Sequence, residues 1–262
     1  ECSVYKIYNM KFYLFLYLSC FCFSGHSQDL SDIDIKEIPK EIEDINSLIL
    51  QEPSAENYYL RGYYHYQMKN YSTAIADYDK AIAINPNDYK FHYSKGNTHI
   101  KLKDYKHAIE DYTKCIALND NMKKAYFNRA YSKSKSNDLN GAINDYSKSI
   151  ALHPEYLEAY ENRGILKKEL HLHKEAILDF DKVIKINPKF AEAYQNRAIS
   201  KAMLNLNAIS DFDQVVILSP DDPEGYYNRA IYFINFKIKR DYCSDLKKAF
   251  SLGYDPSKEL LT

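Results

Sequence analysis

The chain has 262 residues, with 35 basic and 36 acidic side chains and a formal net charge of −1, so no overall field recruits nucleic acid or anionic lipid. Hydrophobic residues make up 45%, yet there are only 7 glycines and 8 prolines, too few tight-turn residues for a sandwich, a barrel or a glycine-rich nucleotide fold. Helices joined by short connections fit this composition, and the 26 tyrosines with no tryptophan suit helix packing.

From Met10 the chain reads one lysine, an apolar run over Phe12 to Phe23, then small and polar residues. That layout predicts a secretory signal peptide cleaved after Ser27, with residues 1–9 upstream of it, and places the mature protein outside the cytoplasm, periplasmic or secreted. A run of 12 residues is too short to span about 30 Å of hydrocarbon as a helix, so no stable membrane span is expected. Two alternatives stay open. One is a buried N-terminal helix, and the other is a lipid or signal anchor, since Leu18-Ser19-Cys20 faintly resembles a lipobox. Residues 28–56 read as a linker and capping helix, because Ile38, Ile42, Ile45 and Ile49 recur by three and four after a polar start.

Beyond this point the chain repeats. Gly62, Gly96, Ala130, Gly164, Ala198 and Ala230 each follow a basic residue, at steps of 34, 34, 34, 34 and 32. Ala74, Ala108, Ala142, Ala176 and Ala208 supply a second small position, so that two helices approach closely. Four residues later come Tyr78, Tyr112, Tyr146, Phe180 and Phe212, one turn on along the same face, with Leu246 in the sixth unit. Pro86, Pro154, Pro188 and Pro220 then stop the helix, with Asp120 in that place in the second unit.

This 34-residue pattern resembles the tetratricopeptide-repeat family. Over residues 57–256 the resemblance implies an all-α fold, a right-handed superhelical solenoid of about six helix-turn-helix repeats, with 257–262 as a short tail. The fifth unit is two residues short between Ala198 and Ala208, where a shortened turn and a local kink are expected. Gly253 is expected to cap the last helix.

The basic residues Arg61, Lys95, Arg129, Arg163, Arg197 and Arg229 precede Asp77, Asp111, Asp145, Asp179, Asp211 and Asp245 by 16, 16, 16, 16, 14 and 16 residues. Six ion pairs across the hairpins are predicted. They are read as exposed pairs, each contributing about 0.2–1 kcal/mol and fixing the pitch of the hairpin. Cys115 and Cys243 lie too far apart in such an array to bridge and read as small core residues, while Cys2, Cys20 and Cys22 fall in or before the export segment.

In proteins of this family the first helix of each unit lines a concave groove for an extended peptide or partner helix. The resemblance therefore nominates Asn128, Asn162, Asn196 and Asn228, a ladder that can donate to and accept from a peptide backbone, together with Tyr59, Tyr63, Tyr93, Asn97, Tyr131 and Lys124. Asn-Arg is also a recurrent dipeptide of this repeat class, so a purely structural ladder stays open. Early units add Tyr66, Lys90, Lys101 and Lys135, while later ones carry Ile165, Ile199, Ile231 and Ile234 with Glu158, Glu192 and Glu224, which predicts a polarised groove. The family's clamp for chaperone-tail carboxylates is not matched, because Glu158 stands where it needs a cation.

No phosphate loop, nucleophile elbow, zinc-protease helix or paired Cys-x-x-Cys is present. No catalytic residue, cofactor or metal is therefore nominated, and His171-Leu-His173 alone offers too few ligands. The expected function is a protein-binding scaffold with an unidentified protein partner. The alternative is a structural subunit of an envelope or secreted assembly, acting through its ends and open to self-association there.

Overall fold

The computed structural model describes residues 38–254; the segment expected to direct export, the tail from 257 and three of the five cysteines lie outside them. The described residues hold thirteen helices and no strand. Of the described residues, 38–187 form one compact unit and 188–254 belong to a second. In the first unit α1 (Ile38–Gln51) precedes four hairpins: α2 (Ala55–Gln67) with α3 (Tyr71–Ile84), α4 (Tyr89–Lys101) with α5 (Tyr105–Leu118), α6 (Lys123–Lys135) with α7 (Leu139–Leu152), and α8 (Leu157–Glu169) with α9 (His173–Ile186). The second unit holds two more, α10 (Ala191–Met203) with α11 (Ile209–Leu218) and α12 (Pro223–Asn235) with α13 (Tyr242–Ser251). Within each hairpin the two helices pack on each other. No helix among the described residues is long and apolar enough to cross a membrane.

The small positions close each hairpin as the spacing requires. A Cβ placed on Gly96 would lie 2.9 Å from Tyr112 Cε1, and one on Gly62 would lie 2.8 Å from Tyr78 Cε1. Tyr78, Tyr112, Tyr146, Phe180, Phe212 and Leu246 are all buried, as are Ala74, Ala108, Ala142, Ala176 and Ala208. Ile38 and Ile45 of α1 are buried against Tyr64, with Ile42, Ile49, Leu60 and Tyr63 around them, so this helix covers the open face of the first hairpin.

All six predicted ion pairs form, at 2.6 Å for Arg61–Asp77, 3.8 Å for Lys95–Asp111, 2.7 Å for Arg129–Asp145 and 2.6 Å for Arg163–Asp179, Arg197–Asp211 and Arg229–Asp245. The carboxylates are not the exposed groups the sequence suggested: each is buried, between 2% and 7% exposed. Burying a charge demands more than one partner, and a second basic residue one turn after the arginine supplies it. Lys133, Lys167 and Lys201 each reach the same carboxylate at 2.8 Å, and His99 does so for Asp111 at 2.7 Å. The arginines also reach outward to the preceding element. Arg61 Nη1 donates to Asn46, Arg129 to Thr113, Arg163 to Ser147 and Arg229 to Asp213. Lys95 makes its shorter pair with Asp79 at 2.7 Å. Arg61, Lys95, Arg129, Arg163 and Arg229 therefore each tie their own hairpin to the preceding helix.

Every first helix ends in the same left-handed residue, Lys69, Lys103, Asn137, His171, Asn205 or Lys237, with φ between 52° and 66°. The next amide bonds back five residues, as in Asp104 N to His99 O and Asp138 N to Lys133 O, both 2.9 Å, which closes a Schellman turn. Gly253 ends α13 with φ 93°. The two-residue deletion of the fifth unit leaves this turn intact. It removes the first turn of the second helix instead: α11 has 10 residues against 14 in α3, α5, α7 and α9, and Ala208 becomes its N-cap. The Tyr232 hydroxyl fills the gap, accepting from Ala208 N at 3.1 Å and donating to Leu206 O at 3.4 Å. Cys115 is a free, buried thiol beside Met122 Sδ at 3.6 Å, and burial pushes its pKa up to about 12. Cys243, expected as a core thiol, is half-buried.

Among the histidines of the first unit whose buried Nδ1 has no hydrogen-bond partner among the described residues are His65, His92 and His173. Burial lowers the pKa of all three. A depressed histidine pKa means the unfolded chain binds more protons below about pH 6.5, so stability present above that value is lost as pH falls through it. The urea midpoint followed by helical circular dichroism is expected to drop between pH 7.5 and 5.5. The drop should be smaller in the His65→Gln, His92→Gln, His173→Gln variant, and an equal drop in both proteins would refute the assignment.

Candidate peptide-binding face

The first helices of residues 38–187 bring several of the nominated side chains together. Tyr59 on α2 shares a 3.3 Å hydrogen bond with Ser94 on α4, and its ring lies 5.1 Å from that of Phe91 and 5.8 Å from that of Tyr78. On α4, Asn97 accepts at Oδ1 from the Tyr112 hydroxyl at 2.6 Å and from Asn128 Nδ2 on α6 at 2.9 Å. Asn128 Nδ2 also lies 3.4 Å from the Tyr93 hydroxyl, while the Tyr93 ring tilts against Tyr112 at 5.9 Å. This is a hydrogen-bonded strip crossing from one hairpin to the next. All of its members except Tyr112 are half-buried, and no hydrogen bond reaches Asn128 Oδ1 among the described residues.

The flanks of the strip are aromatic and basic. Tyr131 packs edge-on against Tyr105 at 6.0 Å, Lys135 Nζ sits 5.5 Å from its ring centre, and burial pushes the phenol up to about 12. Tyr63 meets Tyr64 edge-on at 6.0 Å, and burial raises its pKa. Tyr66 is raised to about 12 for the same reason. Lys124 is half-buried, whereas Lys90 and Lys101 are exposed. On α8 the character changes, with exposed Glu158 and half-buried Ile165.

The asparagine series is less regular than its spacing. Asn162 is buried and turns back on its own helix, donating to Glu158 O at 2.7 Å. Asn196 and Asn228 are half-buried and belong to the second unit, on α10 and α12. Sequence reasoning overlooked Lys168, one turn beyond Ile165, whose ammonium pKa is lowered by burial. It also overlooked the tyrosines three residues before the arginines: Tyr58, Tyr126, Tyr160 and Tyr194 each lie 5.4–5.6 Å under a guanidinium. Their recurrence at multiples of 34 residues is the available signal for that second set.

Comparison with curated protein sequences gave no match. Among solved structures, the C-terminal part of a TPR repeat-containing protein from Cytophaga hutchinsonii is similar with a TM-score of 0.75 at 17% identity, over 87% of this chain and 96% of that one. YrrB, described as a TPR protein with an unusual peptide-binding site, is similar with a TM-score of 0.66 at 19% identity, over 72% of this chain and 98% of that one. A MamA protein gives 0.59 at 22% identity, over 71% and 94%. At these identities the likeness concerns the fold. Tetratricopeptide-repeat family models match residues 55–88, 89–122, 123–156 and 157–190, the spans of the first four hairpins. The chain belongs to the tetratricopeptide-repeat family.

Proposed function

We propose that the chain is a protein-binding scaffold that holds an extended peptide or helix of a partner protein against the first helices of residues 38–187. The observation that carries this reading is the strip Tyr59–Ser94 and Tyr93–Asn97–Asn128, in which half-buried polar and aromatic groups present backbone-compatible donors and acceptors beside apolar rings. Lys90, Lys101, Lys124 and Lys135 favour an acidic segment at that end. Membership of the family supports a binding role in place of catalysis. The signal-like run from Met10 to Ser27 supports export, with the partner met in the periplasm or outside the cell.

The test is capture from the matching compartment with wild type and with the Asn97→Ala, Asn128→Ala double variant, retained proteins being identified by mass spectrometry. Asn162 is left unchanged because its amide is spent within α8. A partner held by wild type and released by a variant of equal helicity, with at least about tenfold weaker binding on titration, is the expected result. Equal retention by both proteins would remove the strip from the binding site.

A further inference from the structure

We propose that the turn of the second hairpin is a binding site for a borderline divalent metal ion of the zinc class, held by His99, Asp104 and His107. One ring nitrogen of each histidine and a carboxylate oxygen of Asp104 all lie within 4.8 Å of one another. The imidazole rings are 5.3 Å apart, inclined at 32°. Two imidazoles and a carboxylate are the donor set of zinc sites that keep a fourth position for water.

Three features of the turn prepare these residues for the ion. The backbone is fixed, because Lys103 takes the left-handed conformation and Asp104 N bonds directly to His99 O at 2.9 Å, so two of the three ligand residues are tied to each other. The tautomer of His99 is fixed as well. Its Nδ1 faces Asp111 Oδ2 at 2.7 Å, and a carboxylate only accepts, so in the neutral ring Nδ1 carries the proton and Nε2 the lone pair. A buried carboxylate behind a histidine is the support that metal-ligating imidazoles ordinarily have. Finally, Asp104 divides its work: Oδ1 accepts from His107 N at 3.3 Å as a helix cap, and Oδ2 lies 2.7 Å from His107 Nδ1. An ion at Oδ2 takes the place of that ring proton.

Donor atoms of a tetrahedral site with bonds of about 2.0–2.1 Å stand about 3.3–3.4 Å apart. Separations of at most 4.8 Å reach that value with a movement of no more than roughly 1.5 Å, which exposed His107 can make by rotating its side chain. His99 is buried and Asp104 half-buried, so the ion would be anchored on one side and open to solvent on the other. The other turns of the first unit lack the set. The equivalent residues are His65, Asn70 and Thr73 in the first hairpin, Lys133, Asp138 and Gly141 in the third, and Lys167, Leu172 and Glu175 in the fourth. In those last two, lysine at the first position neutralises the buried aspartate directly. Histidine in its place leaves a nitrogen over.

The experiment is calorimetric titration of the untagged full chain with Zn²⁺, with Co²⁺ absorption as a second readout. The site variants are His99→Lys, which restores the clamp residue of the third and fourth hairpins, and His107→Ala at an exposed position. The control is His171→Ala with His173→Ala, a pair whose rings are 5.8 Å apart in the fourth turn. The expected result is one saturable equivalent for wild type and control, a melting temperature raised by Zn²⁺, and at least about tenfold weaker binding in each site variant. No saturable uptake by wild type, unchanged uptake by both site variants, or loss of uptake in the control alone would overturn the proposal.

Discussion

Replacing Asp179 by alanine is expected to lower the unfolding free energy by about 2–4 kcal/mol, a larger effect than removing either of its cations. The Asp179 carboxylate is only 2% exposed and accepts from Arg163 Nε at 3.0 Å, Arg163 Nη2 at 2.6 Å and Lys167 Nζ at 2.8 Å. Its loss strands two cations and opens a small cavity beside Phe180. The cations keep some contact with water, at 16% exposure each, so the cost stays toward the lower part of the range for a broken buried pair. Lys167→Ala should cost no more than about 1 kcal/mol, because Arg163 still satisfies both carboxylate oxygens. Urea is the denaturant to use, since guanidinium screens the interaction under test. Circular dichroism at the helical band gives the midpoint and slope, and an unchanged slope shows that one cooperative unit is being compared. A loss under about 1 kcal/mol for Asp179→Ala would reduce the clamp to a surface pair.

That clamp shows how far the sequence could be read. The spacing of Arg163 and Asp179 identifies the pair, because a helical hairpin brings residues 16 apart on opposite sides of a short turn face to face. Spacing carries no information on burial, and so the pair reads as exposed from sequence alone. A third repeating residue, basic at Lys133, Lys167 and Lys201, held the missing signal: a charge attended by two cations is a charge removed from water. The same limit applies to the nominated binding face. Asn128 and Asn162 share a sequence position, yet Asn128 donates across to Asn97 while Asn162 donates to Glu158 O of its own helix. The difference lies in the neighbour, since α4 offers an amide at Asn97 and the equivalent residue of α6 is Tyr131. A rotamer chosen by a neighbouring repeat is invisible to a count within one repeat.

Turns were legible as positions and not as conformations. Lys69, Lys103 and Lys237 adopt positive φ without the glycine that ordinarily signals it, and the backbone bond that follows, reaching back five residues, offsets the strain. Deletion of two residues in the fifth hairpin was visible in the numbering. Its place in the first turn of α11 follows from the retained left-handed Asn205 and from Tyr232, which the second unit uses to satisfy the freed amide of Ala208. The cluster at His99 carries no local sequence signature, whereas His171 and His173 stand two residues apart. The fold instead unites residues five and eight apart across a turn.

Close approach between the helices of one hairpin gives the second large expected effect, and it is testable as a cycle. A Cβ on Gly164 would stand 2.8 Å from Phe180 Cε1, 3.0 Å from Cζ and 3.2 Å from Asp179 Cβ. Phe180 is fully buried, so the ring has nowhere to retreat. Gly164→Val is expected to destabilise by about 2–3 kcal/mol, overpacking outweighing the gain of roughly 0.5 kcal/mol in helix propensity. Phe180→Ala is expected to cost about 3–5 kcal/mol through its cavity. Together they should cost less than the sum by about 1–2 kcal/mol, since the valine methyls enter the space the ring vacated. The sixth hairpin already carries such a pairing, with Ala230 opposite Leu246, both buried. Urea midpoints of the four proteins close the cycle. Strict additivity would mean that the two side chains do not share one space, and the small residue would then be serving helix geometry in place of helix contact.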